Sequence, residues 1–248
     1  MENKKIAAAL LTYNHPNLSF SSLSSLAPAF IAQKIPFYVL HNGSTEQARL
    51  QLENFSKDIK IHFFSRLKNE GFAAGVNTLF EKLFHASSSY EWIFFHTNDI
   101  FYHLLPTQLD GLLKTLSPGF YAPWVWKRRV GQVDSCGGLF SPLLKKLRHC
   151  RSPKDFKKSF LWFRYVPGQA FLIHRSIWEA VGPFDESLHT YWEDVDFSMR
   201  CQKHKKILNI FPQWQLIHKV GKTCHKDPFY TNYLFNRNKK IVSRRYLF

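Results

Sequence analysis

Trp92-Ile93-Phe94-Phe95-His96-Thr97-Asn98-Asp99-Ile100 is an aromatic, apolar run that stops abruptly at polar residues ending in a carboxylate. Its apolar part, Trp92 to Phe95, has the length and composition of a buried strand. In open α/β sheets ligands bind beyond the carboxyl ends of strands, so Asp99 stands where such a protein can meet a metal or substrate. Asn and Asp are also common turn residues, and Asn98-Asp99 reads equally well as a turn or as the cap of a following helix.

Upstream, Ile6 to Leu11 predicts a fully buried strand, broken at Asn14-His15-Pro16 and followed by a helix over Leu18 to Gln33. Phe37 to Leu40 predicts a second strand, running into the turn-forming loop His41-Asn42-Gly43-Ser44-Thr45. Ser44 or Thr45 can cap a helix over Glu46 to Phe55, and Ile59 to Phe64 predicts a third strand. Strand and helix alternating at this spacing predict a parallel, helix-covered sheet. Asn69 to Asn77 then opens a helix whose apolar residues (Phe72, Val76, Leu79, Phe80, Leu83, Phe84) follow helical periodicity. Gly71, Ala73, Ala74 and Gly75 line its start, which suits either an approaching phosphate or close packing of helix on sheet.

Downstream, Pro106 to Leu116 predicts a helix, Gly119 to Trp126 a strand, and Lys127 to Phe163 a basic, irregular loop or insertion. Val166 to Ile173 predicts another strand, followed by a short helix over Ser176 to Val181. Four acids then fall in one short segment, Asp185-Glu186 and Glu193-Asp194, with Asp196 close behind. If a helix starts near Glu193, Asp196 and Arg200 lie at i,i+4 and predict an ordinary salt bridge. Glu193 and Asp194, at the helix mouth, are the catalytic candidates, against a role in complementing the helix dipole.

The 248 residues are 45% hydrophobic and 17% aromatic, ample for a buried core. Thirty-four Lys+Arg against eighteen Asp+Glu give +16, which points to a polyanionic partner: phosphates, nucleic acid or an anionic membrane surface. Cys136, Cys150, Cys201 and Cys224 lack C-x-x-C spacing, which fits a reducing compartment and argues against a zinc knuckle. The apolar run at Ile6 is too short for an export signal, and the sequence has no apolar stretch long enough to span a bilayer. A single cytoplasmic domain is expected, with any membrane contact peripheral, on the inner face of the membrane.

The ordered set of segments resembles the inverting family 2 glycosyltransferases of the GT-A fold, in particular the branch related to bacterial rhamnosyl- and galactofuranosyltransferases. Thr12-Tyr13-Asn14 matches the end of the first strand, Asn42-Gly43-Ser44-Thr45 the D-N-G-S-T loop, and Asn69 to Asn77 the N-x-G-F-A-G-G-N-N element. Thr97-Asn98-Asp99 falls where these enzymes carry a D-x-D-type motif. Gly168 to Ile173 with Gly182 to Glu186, Tyr191 to Asp196, His218 with Gly221, and Arg237-Asn238 match later elements in order.

The resemblance implies an α/β fold with a mixed, mostly parallel central sheet flanked by helices. It implies a nucleotide-sugar-binding half over about 1–125 and an acceptor-binding, catalytic half over about 126–248. The activity implied is inverting transfer of a sugar from a nucleotide-diphosphate donor to a hydroxyl of a glycan or lipid-linked acceptor, in polysaccharide or cell-envelope synthesis, assisted by Mg²⁺ or Mn²⁺. Asp99 and His218 would hold the ion, Asp194 would be the base, and Glu193 its alternative or an acceptor-binding partner. Thr12, Tyr13, Asn14, His41, Asn42, Asn69, Gly71, Phe72, Ala73, Asn77, Thr97, Asn98, Asp99 and Lys222 would contact donor; Gly168, Gln169, Trp192 and Arg237 would contact acceptor. The sequence departs from the pattern at His41, where the family has an Asp that helps read the base. It departs again at Asn98, which leaves Asp99 the lone acid of the central motif, and around Lys219 and Lys222, where small residues are usual.

Two other classes were weighed. A sugar-phosphate nucleotidyltransferase should carry a Gly-rich basic signature after the first strand, where this chain has Tyr13-Asn14-His15-Pro16. A nucleic-acid or polyanion-binding module should interleave basic and aromatic residues over one face, and the acidic cluster opposes it, so no nucleic-acid partner is expected. The tail, Phe229 to Phe248, predicts a helix, either packed on the domain or lying on an anionic membrane through Lys239, Lys240, Arg244, Arg245, Tyr246, Leu247 and Phe248.

Overall fold

Period-two burial along the first strand, β1 (Ile6–Thr12), sets the layering: Ile6, Ala8 and Leu10 enter one core while Ala7, Ala9 and Leu11 enter another. The computed structural model describes residues 5–85, 89–127, 131–157, 159–219 and 228–247. β1 pairs in parallel with β2 (Phe37–Asn42) and β4 (Trp92–Thr97), and β2 with β3 (His62–Arg66). Beyond β4 the sheet continues through β11 (Ala170–His174), β6 (Gly119–Lys127), β12 (Ile207–His218) and β5 (Ile100–Leu104). β11 is antiparallel to both its neighbours, β12 is parallel to β6, and β5 is antiparallel to β12, so the sheet is mixed.

On one face lie α1 (Pro16–Ile31), α2 (Glu46–Asp58) and α4 (Leu109–Thr115), whose Leu23, Leu26, Phe30, Leu52, Leu109 and Leu113 pack on Phe37, Val39 and Phe94. On the other lie α3 (Phe72–Leu83), α5 (Arg175–Val181) and α6 (Glu193–Lys203), packing Val76, Phe80, Ile177 and Phe197 on Phe95, Phe120 and Phe171. Thr45 caps α2, accepting from the Ala48 amide at 3.3 Å. Asp196 and Arg200 form the expected i,i+4 pair, 2.9 Å apart.

Several elements differ from the sequence reading. The third strand begins at His62 because Ile59 still caps α2. The expected strand over Val166 to Ile173 starts only at Ala170, leaving Val166 to Gln169 as a loop. Lys127 to Phe163 is not irregular: it contains β7 (Val133–Ser135), paired with β6, and β8 (Gly138–Ser141) and β9 (Lys146–His149). With β10 (Phe163–Tyr165) these last two form a second antiparallel sheet in the order β10-β8-β9. This small sheet lies between two apolar clusters, Cys136, Leu139, Cys150 and Phe156 in one, Phe140 and Tyr165 against Trp192 and Val242 in the other.

The tail forms α7 (Pro228–Arg245), packed on the domain through Leu234, Asn238 and Val242. Arg245 pairs with Asp185 and Asp196, and Tyr246 is buried with its hydroxyl on Asp196. These two residues, named above for a membrane contact, belong instead to the packing of the domain; Phe248 lies outside the described residues. Among the described residues no helix is long and apolar enough to cross a membrane.

Candidate active site

β1 and β4 end beside each other, and at their carboxyl ends a cleft of about 420 Å³ opens between the main sheet, the second sheet, and helices α3, α6 and α7. Tyr13, Asn42, Asn69, Phe72, Thr97, Asn98, Asp99, Gly168, Gln169, Trp192, Glu193, Asp194 and His218 line it, bringing together residues from far-separated stretches of the sequence.

Asp99 sits in the two-residue turn between β4 and β5, both a turn residue and a site residue. Its Oδ1 lies 2.7 Å from the Thr97 hydroxyl and its Oδ2 3.3 Å from His218 Nε2. Asn98 points the other way: its amide donates to Ser19 and Thr12, tying the turn to α1. His218 closes β12, and its Nδ1 lies 2.8 Å from Asp134 of β7. Burial opposes charging this imidazole, but the hydrogen bonds to Asp134 and Asp99 outweigh it and raise its pKa to about 9. Burial likewise pushes the Asp134 carboxyl up, and the His218 contact more than reverses this, leaving it below the usual range.

At the other end, α6 starts without a side-chain cap, after Tyr191 and Trp192 with left-handed φ of 71° and 74°. Asp194 Oδ2 accepts from the Gly168 amide and Oδ1 from the Val195 amide, both at 2.8 Å. The group is enclosed yet keeps an edge on the cleft; burial raises its pKa and the two amide bonds counter part of the rise. Glu193 is buried, and burial together with the Asp194 charge pushes its carboxyl well above the usual range. Its Oε2 has no hydrogen-bond partner, nor has the neighbouring Trp192 indole N–H. The two ends are linked by one run of hydrogen bonds. The Thr97 hydroxyl touches Asp99 and the Gln169 carbonyl, which accepts from the Thr97 amide, and the adjoining Gly168 amide donates to Asp194.

Other candidates stand behind the cleft. The first two amides of α3 are already engaged, Phe72 N on the Thr190 hydroxyl and Ala73 N on the His189 carbonyl, so close packing rather than an open phosphate cradle explains the small residues. Gly71, at φ 99°, has no room for a Cβ, which would lie 2.4 Å from the His189 carbonyl oxygen. Asn77 is buried, bonded to both backbone groups of Phe184 and to Glu186. Thr12 is buried against Ser19, and Asn14 lines a separate small hollow with Thr45. His41 is buried with Nε2 on Ser44 at 2.6 Å, and burial lowers its pKa. Arg237 does not line the cleft; it donates to the Ser187 and Leu188 carbonyls. Lys222 lies outside the described residues.

The sequence reading missed Leu147 and His149 of β9, Tyr165 of β10, Thr190, Tyr191 and Phe235, all of which line the cleft, and Asp134 behind it. The one signal available for Asp134 was its rarity: it and Asp155 are the only acids between Lys127 and Phe163.

No protein-family model and no curated protein sequence matches the chain. Solved structures do. The mannosyltransferase PcManGT from Pyrobaculum calidifontis, in complex with GDP-Man and Mn²⁺, superposes with a TM-score of 0.62 at 13% identity, over 97% of this chain and 64% of that one. S. aureus TarS residues 1–349 in complex with UDP gives 0.58 at 13% identity, over 96% and 65%. A further S. aureus TarS structure gives 0.56 at 13%, over 87% and 37%. The chain thus spans less than two thirds of the length of each of these three. At this identity the likeness is one of architecture, and it agrees with the strand order and the position of the cleft: the chain has the GT-A fold.

Proposed function

We propose that the chain is an inverting glycosyltransferase that moves a sugar from a nucleoside-diphosphate donor to a hydroxyl of a glycan or lipid-linked saccharide. The observation that carries this reading is the pairing, within one cleft, of an Asp99–His218 couple at the strand ends with an enclosed Asp194 at the mouth of α6. GDP-Man and UDP, bound to the two structures of like fold, support a nucleotide-sugar donor. Residues 1–125 supply most of the donor side, and residues 126–248 most of the acceptor side. The aromatic wall formed by Tyr165, Trp192 and Phe235 offers flat apolar surface to a sugar ring.

Asp99 and His218 fit a hard divalent ion such as Mg²⁺ or Mn²⁺. A carboxylate oxygen and an imidazole Nε2 face each other, and the far ring nitrogen is fixed by a carboxylate. Among the described residues no group of three His, Cys, Asp or Glu is arranged to hold a metal alone, so the donor diphosphate and water would complete the shell. When bound, the ion neutralises charge on the leaving diphosphate.

In the transfer step the acceptor oxygen bonds to the anomeric carbon as the bond from that carbon to the diphosphate oxygen breaks on the opposite face. Asp194 takes the hydroxyl proton, and its raised pKa brings it toward the range a base needs at neutral pH. The Gly168 and Val195 amides fix the carboxylate plane while leaving lone pairs for the acceptor. Glu193, next to it, is placed to bind the acceptor or to substitute as base. A cytoplasmic enzyme working at the membrane surface in envelope polysaccharide synthesis fits the basic charge and this class of acceptor.

Calorimetry with UDP, GDP and dTDP, in Mn²⁺ and in EDTA, tests the donor side. Metal-strengthened binding of at least one nucleotide, weakened in Asp99→Ala, is the expected result; no binding across the panel contradicts the reading.

A further inference from the structure

Of the cleft's two ends, the Asp99–His218 end has a supporting residue behind it that the transferase reading does not require. Asp134 lies on β7, a strand of three residues paired at the edge of β6. Its Oδ2 is 2.8 Å from His218 Nδ1, closer than the 3.3 Å between His218 Nε2 and Asp99. The next residue, Ser135, is buried and accepts a hydrogen bond from the Gln169 side chain at 2.8 Å, so two successive residues of β7 brace two residues of the cleft. Asp134 itself is not among the cleft-lining residues, and its side chain is 14% exposed, as is that of His218.

A histidine ring has two nitrogens, and the hydrogen bond made by one decides what the other can do. A carboxylate on Nδ1 keeps the proton there, directs the Nε2 lone pair outward, and fixes the ring plane. With Asp134 behind it, His218 presents Nε2 toward Asp99 in one tautomer and one orientation. Without that contact the ring is free to rotate about χ2 and to exchange tautomers, and half of the resulting states turn the wrong nitrogen to the cleft.

We propose that Asp134 is the positioning residue that makes His218 a ligand for the divalent ion and diphosphate. It acts through the imidazole and touches neither metal nor donor. The inference rests on the donor and metal reading given above.

The test is the gain in nucleotide affinity that Mn²⁺ confers, taken as the ratio of Kd in EDTA to Kd in Mn²⁺ for UDP and for GDP. Asp134→Ala should lower that ratio about 10–100-fold, with Kd in EDTA unchanged. Asp134→Asn keeps an acceptor atom facing Nδ1 and should lose less than Asp134→Ala. Asp155→Ala removes the other acid of the same basic segment, one engaged in capping Ser152, and should leave the ratio unaltered. A ratio in Asp134→Ala within twofold of the parent overturns the proposal. If the alanine variant does not fold, Asp134→Asn decides, and a ratio equal to the parent's is then the overturning result. A parent protein that binds nucleotide equally well with and without Mn²⁺ overturns the metal reading, and this proposal with it. A parent that shows the gain while its variants keep it overturns this proposal alone.

Discussion

Replacing Asn238 with alanine should lower stability by about 3 kcal/mol, although the residue is far in sequence from every catalytic candidate. Asn238 is fully buried in α7, and its side-chain amide lies 2.6 Å from the Leu188 carbonyl, 3.0 Å from that of Thr190 and 2.8 Å from that of Tyr191. These carbonyls belong to the loop that enters α6, where His189, Tyr191 and Trp192 all hold left-handed φ values that L-residues rarely adopt. The Leu188 carbonyl keeps the Thr190 amide as a second donor, so two carbonyls, those of Thr190 and Tyr191, lose most. At about 1–3 kcal/mol for each buried acceptor deprived of a donor, the cost is roughly 2–6 kcal/mol, and partial rehydration of a loosened loop brings it toward the lower half. For a chain of this size that corresponds to a fall in Tm of roughly 6–12 °C. Calorimetry measures the midpoint, and urea titration followed by tryptophan fluorescence measures the free energy. Because the loop positions Glu193 and Asp194 and leaves Asp99 alone, turnover should fall more than nucleotide affinity. A Tm within about 1 °C of the parent would refute the argument that Asn238 holds this loop.

Asp194→Asn should lower transfer by about 10²–10⁴-fold while nucleotide affinity stays at the parent value; an equal loss of donor affinity would contradict the base assignment. The asparagine amide must also face the Gly168 or the Val195 amide donor, so a lower Tm should accompany the substitution. Glu193→Gln should stabilise the fold near pH 8 and do nothing near pH 4. A carboxyl whose folded pKa lies above its unfolded value binds more protons when folded, so stability falls as pH rises through that interval, and glutamine removes the loss. Equal Tm shifts at both pH values would show that the Glu193 charge is relieved in some other way.

Much of the fold could be read along the chain where local pattern and tertiary environment agree. β1, β2, β4 and the helices between them are short apolar runs bounded by turn residues, and the alternation itself implies a parallel sheet. β12 was harder to see because it is not a uniform strand. Its pairing with β6 slips between Phe211 and Gln215, where Pro212 cannot donate to the ladder and Trp214 turns into the core, 4.9 Å from Phe94. The second sheet was hidden for a related reason: β7, β9 and β10 are three or four residues long, too short for a period to show, and their partners are fixed only by the fold.

The site divides along the same line. Asp99, His218, Glu193 and Asp194 were visible as ionisable residues at the ends of predicted elements. Asp134 was not, because its significance lies in a contact with a residue 84 positions away. Arg237-Asn238 shows the converse. The pair stands out in the sequence, yet its side chains brace the 187–191 loop from behind instead of meeting a substrate.

The most direct test of the account is turnover of UDP-, GDP- and dTDP-sugars by the parent protein, by Asp99→Ala and by Asp194→Asn, with and without Mn²⁺. Release of nucleoside diphosphate is the readout, either by transfer or by slow hydrolysis of the donor. The account predicts Mn²⁺-stimulated release from at least one donor, nearly abolished in both variants, with nucleotide binding retained only in Asp194→Asn. Absence of release from every donor by the folded parent, or release that both variants sustain at the parent rate, would contradict it.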